Sequence, residues 1–327
     1  MRLRHPALSS FALVVAAFLI STLNALQSRV NGAASDQMGN PVQAAMLSVG
    51  GGFLLATGFV IFSPTLRNRV KKIFATWKDS DLKVWQLLAG VGGGIFIFGQ
   101  ALVVPIYGVA VYIISVVAGQ TVFSLVVDKF GIGPAGKKPV TFFRVSAAGL
   151  TFVGALLATI GKVQAFDTVL PALMFGFFAG AATSWQYALN GRISTSFRST
   201  LITSSLNFLM GFCFLTVVLV ISGVAGLWPM SQLPNILKQP QLWSGGVLGL
   251  IFIAGASFFV ARLGVLRFAI ISVLGQLLGA YLLDVIFPTG DSGNSGLVLL
   301  GLAITLFAVL LSSRGSAEDF RTLASRP

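Results

Sequence analysis

One stretch of this chain is written twice. Gly108, ten residues, Gly119-Gln120, seven residues and Asp128 return 156 positions later as Gly264, Gly275-Gln276 and Asp284. A second set keeps register at a nearly equal distance: Asn24, Gln27, Asn31 and Gly32 recur 159 positions on as Thr183, Gln186, Asn190 and Gly191, and Gly52 meets Gly211 at the same offset. Gln and Asp are scarce in so apolar a sequence, so their agreement at two places in each half marks a duplication. A period of about 155 residues is far too long for a stacked solenoid. What was doubled is a whole bundle.

The medium in which that bundle folds follows from charge. Only 9% of residues are charged and 55% are hydrophobic, with a mean hydropathy of +0.89, whereas a soluble chain is roughly a quarter charged. The expectation is an all-α integral membrane protein. A helix needs about 20 apolar residues to cross a bilayer, and ten stretches qualify: residues 7–29, 42–63, 85–106, 108–128, 143–161, 168–190, 200–222, 243–262, 264–286 and 295–313. The third and fourth are separated only by Pro105 to Gly108, and the eighth and ninth only around Arg262 to Gly264, so each pair is expected to be a tight hairpin. Residues 1–163 form a first five-helix unit, 164–313 a second, and 314–327 a cytoplasmic tail.

A net charge of +13 raises the question of nucleic acid. The basic residues lie between apolar runs, which is the pattern of orientation in a membrane, and no nucleic-acid partner is expected. With the N-terminus inside, 19 of the 22 Lys and Arg residues fall in cytoplasmic loops, and only Arg29, Lys162 and Lys238 fall outside. Both termini are therefore expected in the cytoplasm. Five spans per unit is an odd number, so the second unit enters from the opposite face and the duplication becomes a 5+5 inverted-topology repeat. That architecture is typical of secondary transporters. The basic start and apolar run of residues 1–26 also have the form of a cleavable signal peptide, but this segment carries repeated residues and is expected to stay.

The candidate site residues are the polar side chains held in register. Asn24, Gln27 and Asn31 share one face of a helix, and Thr183, Gln186 and Asn190 share the matching one. In hydrocarbon each needs a partner. The stripes either hydrogen-bond between helices or face a common polar cavity that binds solute, supported by Gln120 and Gln276. The Asn-Gly pairs at 31–32 and 190–191 fit helix ends. Asp128 and Asp284 are expected near opposite membrane faces, as hydrogen-bonded helix ends or as gating and coupling groups. Gly90, Gly92, Gly93, Gly94 and Gly99, and Gly245, Gly246, Gly249 and Gly255, mark surfaces of close helix approach. Trp85 and Trp243 open the equivalent helices as interfacial anchors.

Other chemistry lacks its residues. The one His is His5, the one Glu is Glu318 and the one Cys is Cys213, so neither a metal cluster nor a Cys/His nucleophile pair can be assembled. No Gly-x4-Gly-Lys-Ser/Thr loop is present. An enzyme is not expected, nor is a metal or cofactor.

Gln27-x3-Asn31, the run from Ala44-Ala45 to Gly52, Trp85 with its glycines, Gly119-Gln120 and Asp128-x2-Gly131 resemble the YdcZ-like branch of the drug/metabolite transporter superfamily. The resemblance covers nearly all of residues 8–313, as two units fused. The second unit departs from it: Ile286-Phe287 stand where a Gly would follow Asp284, and Asn207 stands where the first unit has Ser48. The resemblance implies a multi-pass exporter of the bacterial inner membrane. The related small multidrug resistance proteins carry an essential Glu in their first helix, where this chain has neutral amides. The expectation is a secondary transporter, an exporter of small organic solutes or drugs working by alternating access, with the lipid bilayer and a small-molecule solute as partners. Fusion of two units removes the need for a second copy. The alternative is a non-transporting membrane protein, lipid-handling or sensory.

Overall fold

The computed structural model describes residues 10–75, 82–133, 136–137, 139–160, 166–263, 265–288 and 295–324. The described residues form α-helices and short 3-10 turns, with no strand. The helices are α1 (Ser10–Met38), α2 (Pro41–Phe62), α3 (Pro64–Ala75), α4 (Gly90–Phe130), α5 (Phe142–Ile160), α6 (Phe166–Phe197), α7 (Thr200–Val224), α8 (Gly245–Leu263), α9 (Val265–Ile286) and α10 (Ser295–Ala324). Residues 11–38, 41–62, 84–130 and 200–224 are long and apolar enough to cross a membrane by length and composition. Shorter apolar runs occupy α5, α8, α9 and α10.

The expected third and fourth spans are one run, α4, broken at Gly108 by φ 87° and ψ 170°. Its limbs fold back on one another there. In a straight helix residues 16 apart stand about 24 Å apart, yet the Tyr112 hydroxyl donates to the carbonyl of Phe96 at 2.5 Å. Only a residue without Cβ takes that positive φ freely, which gives the first copy of the repeated glycine its reason. The second copy, Gly264, lies outside the described residues between α8 and α9.

Four boundaries differ from expectation. The helix expected to close at Asn31-Gly32 runs on to Met38 and ends at Gly39, which has φ 61°, and α6 likewise passes Asn190-Gly191 to reach Phe197. Gly32 serves contact instead of termination: a Cβ there would stand 2.7 Å from Val104 Cγ1 of α4. Residues 64–75, expected as loop, are the amphipathic helix α3. α10 continues past residue 313 into the expected tail.

Starts are set by local chemistry. Asn40 Oδ1 accepts from the amides of Val42 and Gln43 at 3.1 and 3.0 Å, with Pro41 opening α2. Ser199 Oγ caps α7 by accepting from Ile202 N at 3.3 Å. At the far end of α4, Gly131 takes φ 67° and closes the helix.

The most buried helix is α4, packed on α1, α5, α6 and α7, while α5 packs on α10, α1 on α9 and α2 on α7. Apolar surface meets apolar lipid in a membrane, so close contact takes over from hydrophobicity as the source of helix pairing. Glycines supply it. A Cβ on Gly275 of α9 would stand 2.7 Å from the carbonyl of Phe18 in α1, and one on Gly119 of α4 would collide with the carbonyl of Phe177 in α6. Phe18 and Phe177 are 159 apart, and Gly119 and Gly275 are 156 apart. Positions matched by the sequence thus meet the same kind of neighbour.

Candidate functional site

The polar stripe of α1 is spent on three different helices. Asn24 Nδ2 donates to Gln276 Oε1 of α9 at 2.8 Å, Gln27 Nε2 donates to the carbonyl of Gly245 at 2.9 Å, and Asn31 Nδ2 donates to Gln100 Oε1 of α4 at 2.6 Å. All three are buried. Gln100 Nε2 passes the chain on to Ser28 Oγ at 2.9 Å, and Gln276 Nε2 bonds Ser272 Oγ at 2.9 Å.

The stripe of α6 is engaged in a parallel way. Thr183 Oγ1 accepts from Gln120 Nε2 of α4 at 3.0 Å. Gln186 Nε2 donates to Asn207 Oδ1 of α7 at 3.1 Å, and Asn207 Nδ2 donates to Asn190 Oδ1 at 2.7 Å. The pair Asn24 with Gln276 and the pair Thr183 with Gln120 occupy repeat-matched positions. So do two seats for the glutamines: a Cβ on Gly249 would stand 2.6 Å from Gln27 Nε2, and one on Gly93 would stand 2.7 Å from Gln186 Nε2. The glycines of α4 and α8 therefore make room for amide groups as well as for backbone. The structure brings each stripe against its own partners, and the hydrogen bonds of the two stripes run to different residues.

The acids differ. Asp284, buried beside the Gly108 turn, accepts from the backbone amides of Val109 and Ala110, both at 2.8 Å. A break in a helix leaves the first amides of the new limb without intrahelical acceptors. A carboxylate from α9 supplies them, with the charge at the positive end of the limb. Asp128 instead pairs with Arg144, Nη2 to Oδ2 at 2.5 Å, while Arg144 Nη1 donates to the carbonyl of Pro139 at 3.1 Å. The two acids take different partners in separate places.

Sequence reasoning passed over four participants. Gln100 is fully buried and links Asn31 to Ser28; a lone amide within an apolar run was its signal. Arg144 was counted only for orientation. Asn207, noted as a departure from the first unit, joins Gln186 to Asn190. Ser48, at the matching position of α2, is 2% exposed and its hydroxyl has no hydrogen-bond partner among the described residues. It faces Gly245, where a Cβ would stand 2.6 Å from Ser48 Oγ.

Comparison with known proteins identifies the family. The pattern of a family described as "Putative inner membrane exporter, YdcZ" matches this chain twice, over residues 12–157 and 171–311. No curated protein matches the sequence. A solved structure titled only "Crystal structure of protein" covers 92% of this chain and 95% of its own length, with 15% identity and a TM-score of 0.52. That likeness speaks to the fold alone.

Proposed function

Because the chain belongs to the YdcZ family of inner membrane exporters and holds two units of it, we propose that it is a secondary transporter of small organic solutes. It works by alternating access between two oppositely oriented five-helix units, with both termini in the cytoplasm. The observation that carries this reading is the matched engagement of the amides: Asn24 with Gln276 and Gln27 on Gly249 in one place, Thr183 with Gln120 and Gln186 on Gly93 in the other. Two copies of one contact set are what a molecule needs if its halves exchange conformations.

The chemistry is one of exchange. An amide in hydrocarbon always needs a partner, and replacing one protein hydrogen bond by one to a solute changes the free energy little, because the net value of each is only about 1 kcal/mol. Gln27, Asn31, Gln186 and Asn190 line the path in this reading, with Gln120 and Gln276 holding Thr183 and Asn24. The unpartnered hydroxyl of Ser48 beside Gly245 leaves the α1 cluster one hydrogen bond that a solute can take. Neutral amides suit neutral or weakly charged solutes. Asp284 at the Gly108 turn and Asp128 on Arg144 are the gates, each fixing one helix end. The family assignment places the protein among multi-pass inner membrane transporters, and catalysis forms no part of this reading.

The test is solute flux into proteoliposomes, with substrates chosen by thermal stabilisation of the purified protein across a solute panel. The double variant Gln27→Leu/Gln186→Leu is expected to abolish flux while the protein stays folded. Undiminished flux would remove both residues from the path.

A further inference from the structure

The connections that follow α2 and α7 each hold down the turn between the first two helices of the other unit. α3 lays Leu66, Val70 and Ile73 against the cluster containing Leu189, Ile193, Phe197 and Ile202, and Arg69 donates to the carbonyl of Arg198 at the α6–α7 turn. At the other end of α2, about 33 Å away for 22 helical residues, the α7–α8 connection does the equivalent. Gln43 Oε1 accepts from Ser231 N at 2.8 Å and its Nε2 donates to Ser231 O at 3.2 Å, while Asn40 Nδ2 donates to Pro229 O at 3.1 Å.

The two connections differ in charge. Residues 225–244 hold one basic residue, Lys238, and no acid, whereas residues 64–83 hold six basic residues against Asp79 and Asp81. Holding a turn down does not require that charge, since neutral amides accomplish it elsewhere in the same molecule. Arg67 and Lys71 stand one helical turn apart and exposed, a separation of about 6 Å that one phosphodiester can bridge. Phe62, 87% exposed, and Phe74, 78% exposed, flank them. Exposed cations bordered by exposed phenyl rings match the layering of a membrane surface, with charge at the headgroups and rings among the chains.

We propose that α3 is a binding site for anionic phospholipid, with Arg67 and Lys71 taking the headgroup phosphate and Phe62 and Phe74 reaching the acyl region. Unlike the transport reading, this depends on none of the amide residues. The test reconstitutes the full chain in phosphatidylcholine bilayers containing spin-labelled phosphatidylglycerol or spin-labelled phosphatidylcholine, and reads the motionally restricted fraction. The wild-type protein is expected to favour phosphatidylglycerol about threefold at low salt, falling toward parity in 0.5 M salt as the screening length shrinks. Arg67→Gln/Lys71→Gln is expected to lose the preference and Lys238→Gln to keep it. Equal association of the two lipids with the wild-type protein, a preference that salt leaves unchanged, or full preference in Arg67→Gln/Lys71→Gln would each overturn the proposal. The salt arm uses the wild-type chain and so stands even if the double variant folds poorly.

Discussion

Asp284 and Asp128 occupy the same place in the repeated motif and hold different things. Asp284 closes on two backbone amides at the start of a helical limb, out of water; Asp128 closes on a guanidinium that comes sixteen residues later in its own unit, with 23% of its side chain exposed. The chain explains the divergence. The first unit offers Arg144, whereas no Lys or Arg occurs between Asp284 and Arg314, and the second acid accepts from backbone amides at the Gly108 turn. A duplicated motif therefore fixes where a carboxylate stands, and the flanking sequence decides what it binds.

Four variants test how deep that difference runs. Asp284→Ala should be the most damaging, because it leaves two buried amides without acceptors. Two charge-assisted hydrogen bonds together are worth about 3–5 kcal/mol, read as a large fall in the unfolding midpoint, with Asp284→Asn recovering part of it. Asp128→Ala should cost less, about 2 kcal/mol, since Arg144 keeps the carbonyl of Pro139. The cost should shrink further in Asp128→Asn/Arg144→Met, where no charge is orphaned. Equal losses for the two alanine variants would erase the distinction between the acids.

The matched glycines offer a smaller and more informative perturbation. Gly93→Ala and Gly249→Ala press on the ends of flexible glutamine side chains, so each should change stability by less than about 1 kcal/mol while stopping solute flux. Gly119→Ala meets a backbone carbonyl, which cannot step aside, and should destabilise by about 1–3 kcal/mol. If Gly93→Ala left flux untouched, the amide would not be a working part of the path. The last comparison concerns the two connections. Gln43→Ala removes a reciprocal hydrogen-bond pair and should cost about 1–2 kcal/mol, whereas Arg69→Gln weakens one partly exposed contact and should cost about 0.5 kcal/mol. Comparative melting of the two variants checks the order.

Much of this was readable from residue order. The apolar composition announced helices in lipid, and the offsets of 156 and 159 picked out Asn24, Thr183, Gln120 and Gln276, which the structure joins in matching pairs. What stayed hidden has physical causes. Gln100 has Ala256 at the matching position, so a search for repeated residues passes over it. The partners of Asp284 are backbone amides, which carry no residue identity. α3 was concealed by its own charge: four cations drew the eye to orientation, while Leu66, Val70 and Ile73, spaced at i, i+4 and i+7, formed an apolar face that needs a folded neighbour to matter. Asn-Gly misled for a similar reason, because Gly32 answers to Val104 on another helix.

The opposed orientation of the two units is the claim on which the transport account rests, and single-cysteine labelling from each side of the membrane tests it. In a chain with Cys213→Ala, cysteines replacing Asn68 after α2 and Gln232 after α7 occupy equivalent places in the two units, and both native positions are exposed. The account predicts that an impermeant reagent reaches them from opposite sides, with a cysteine replacing the exposed Ser196 labelled from the same side as one at Asn68. Labelling of positions 68 and 232 from one side would mean units of like orientation, and would contradict it.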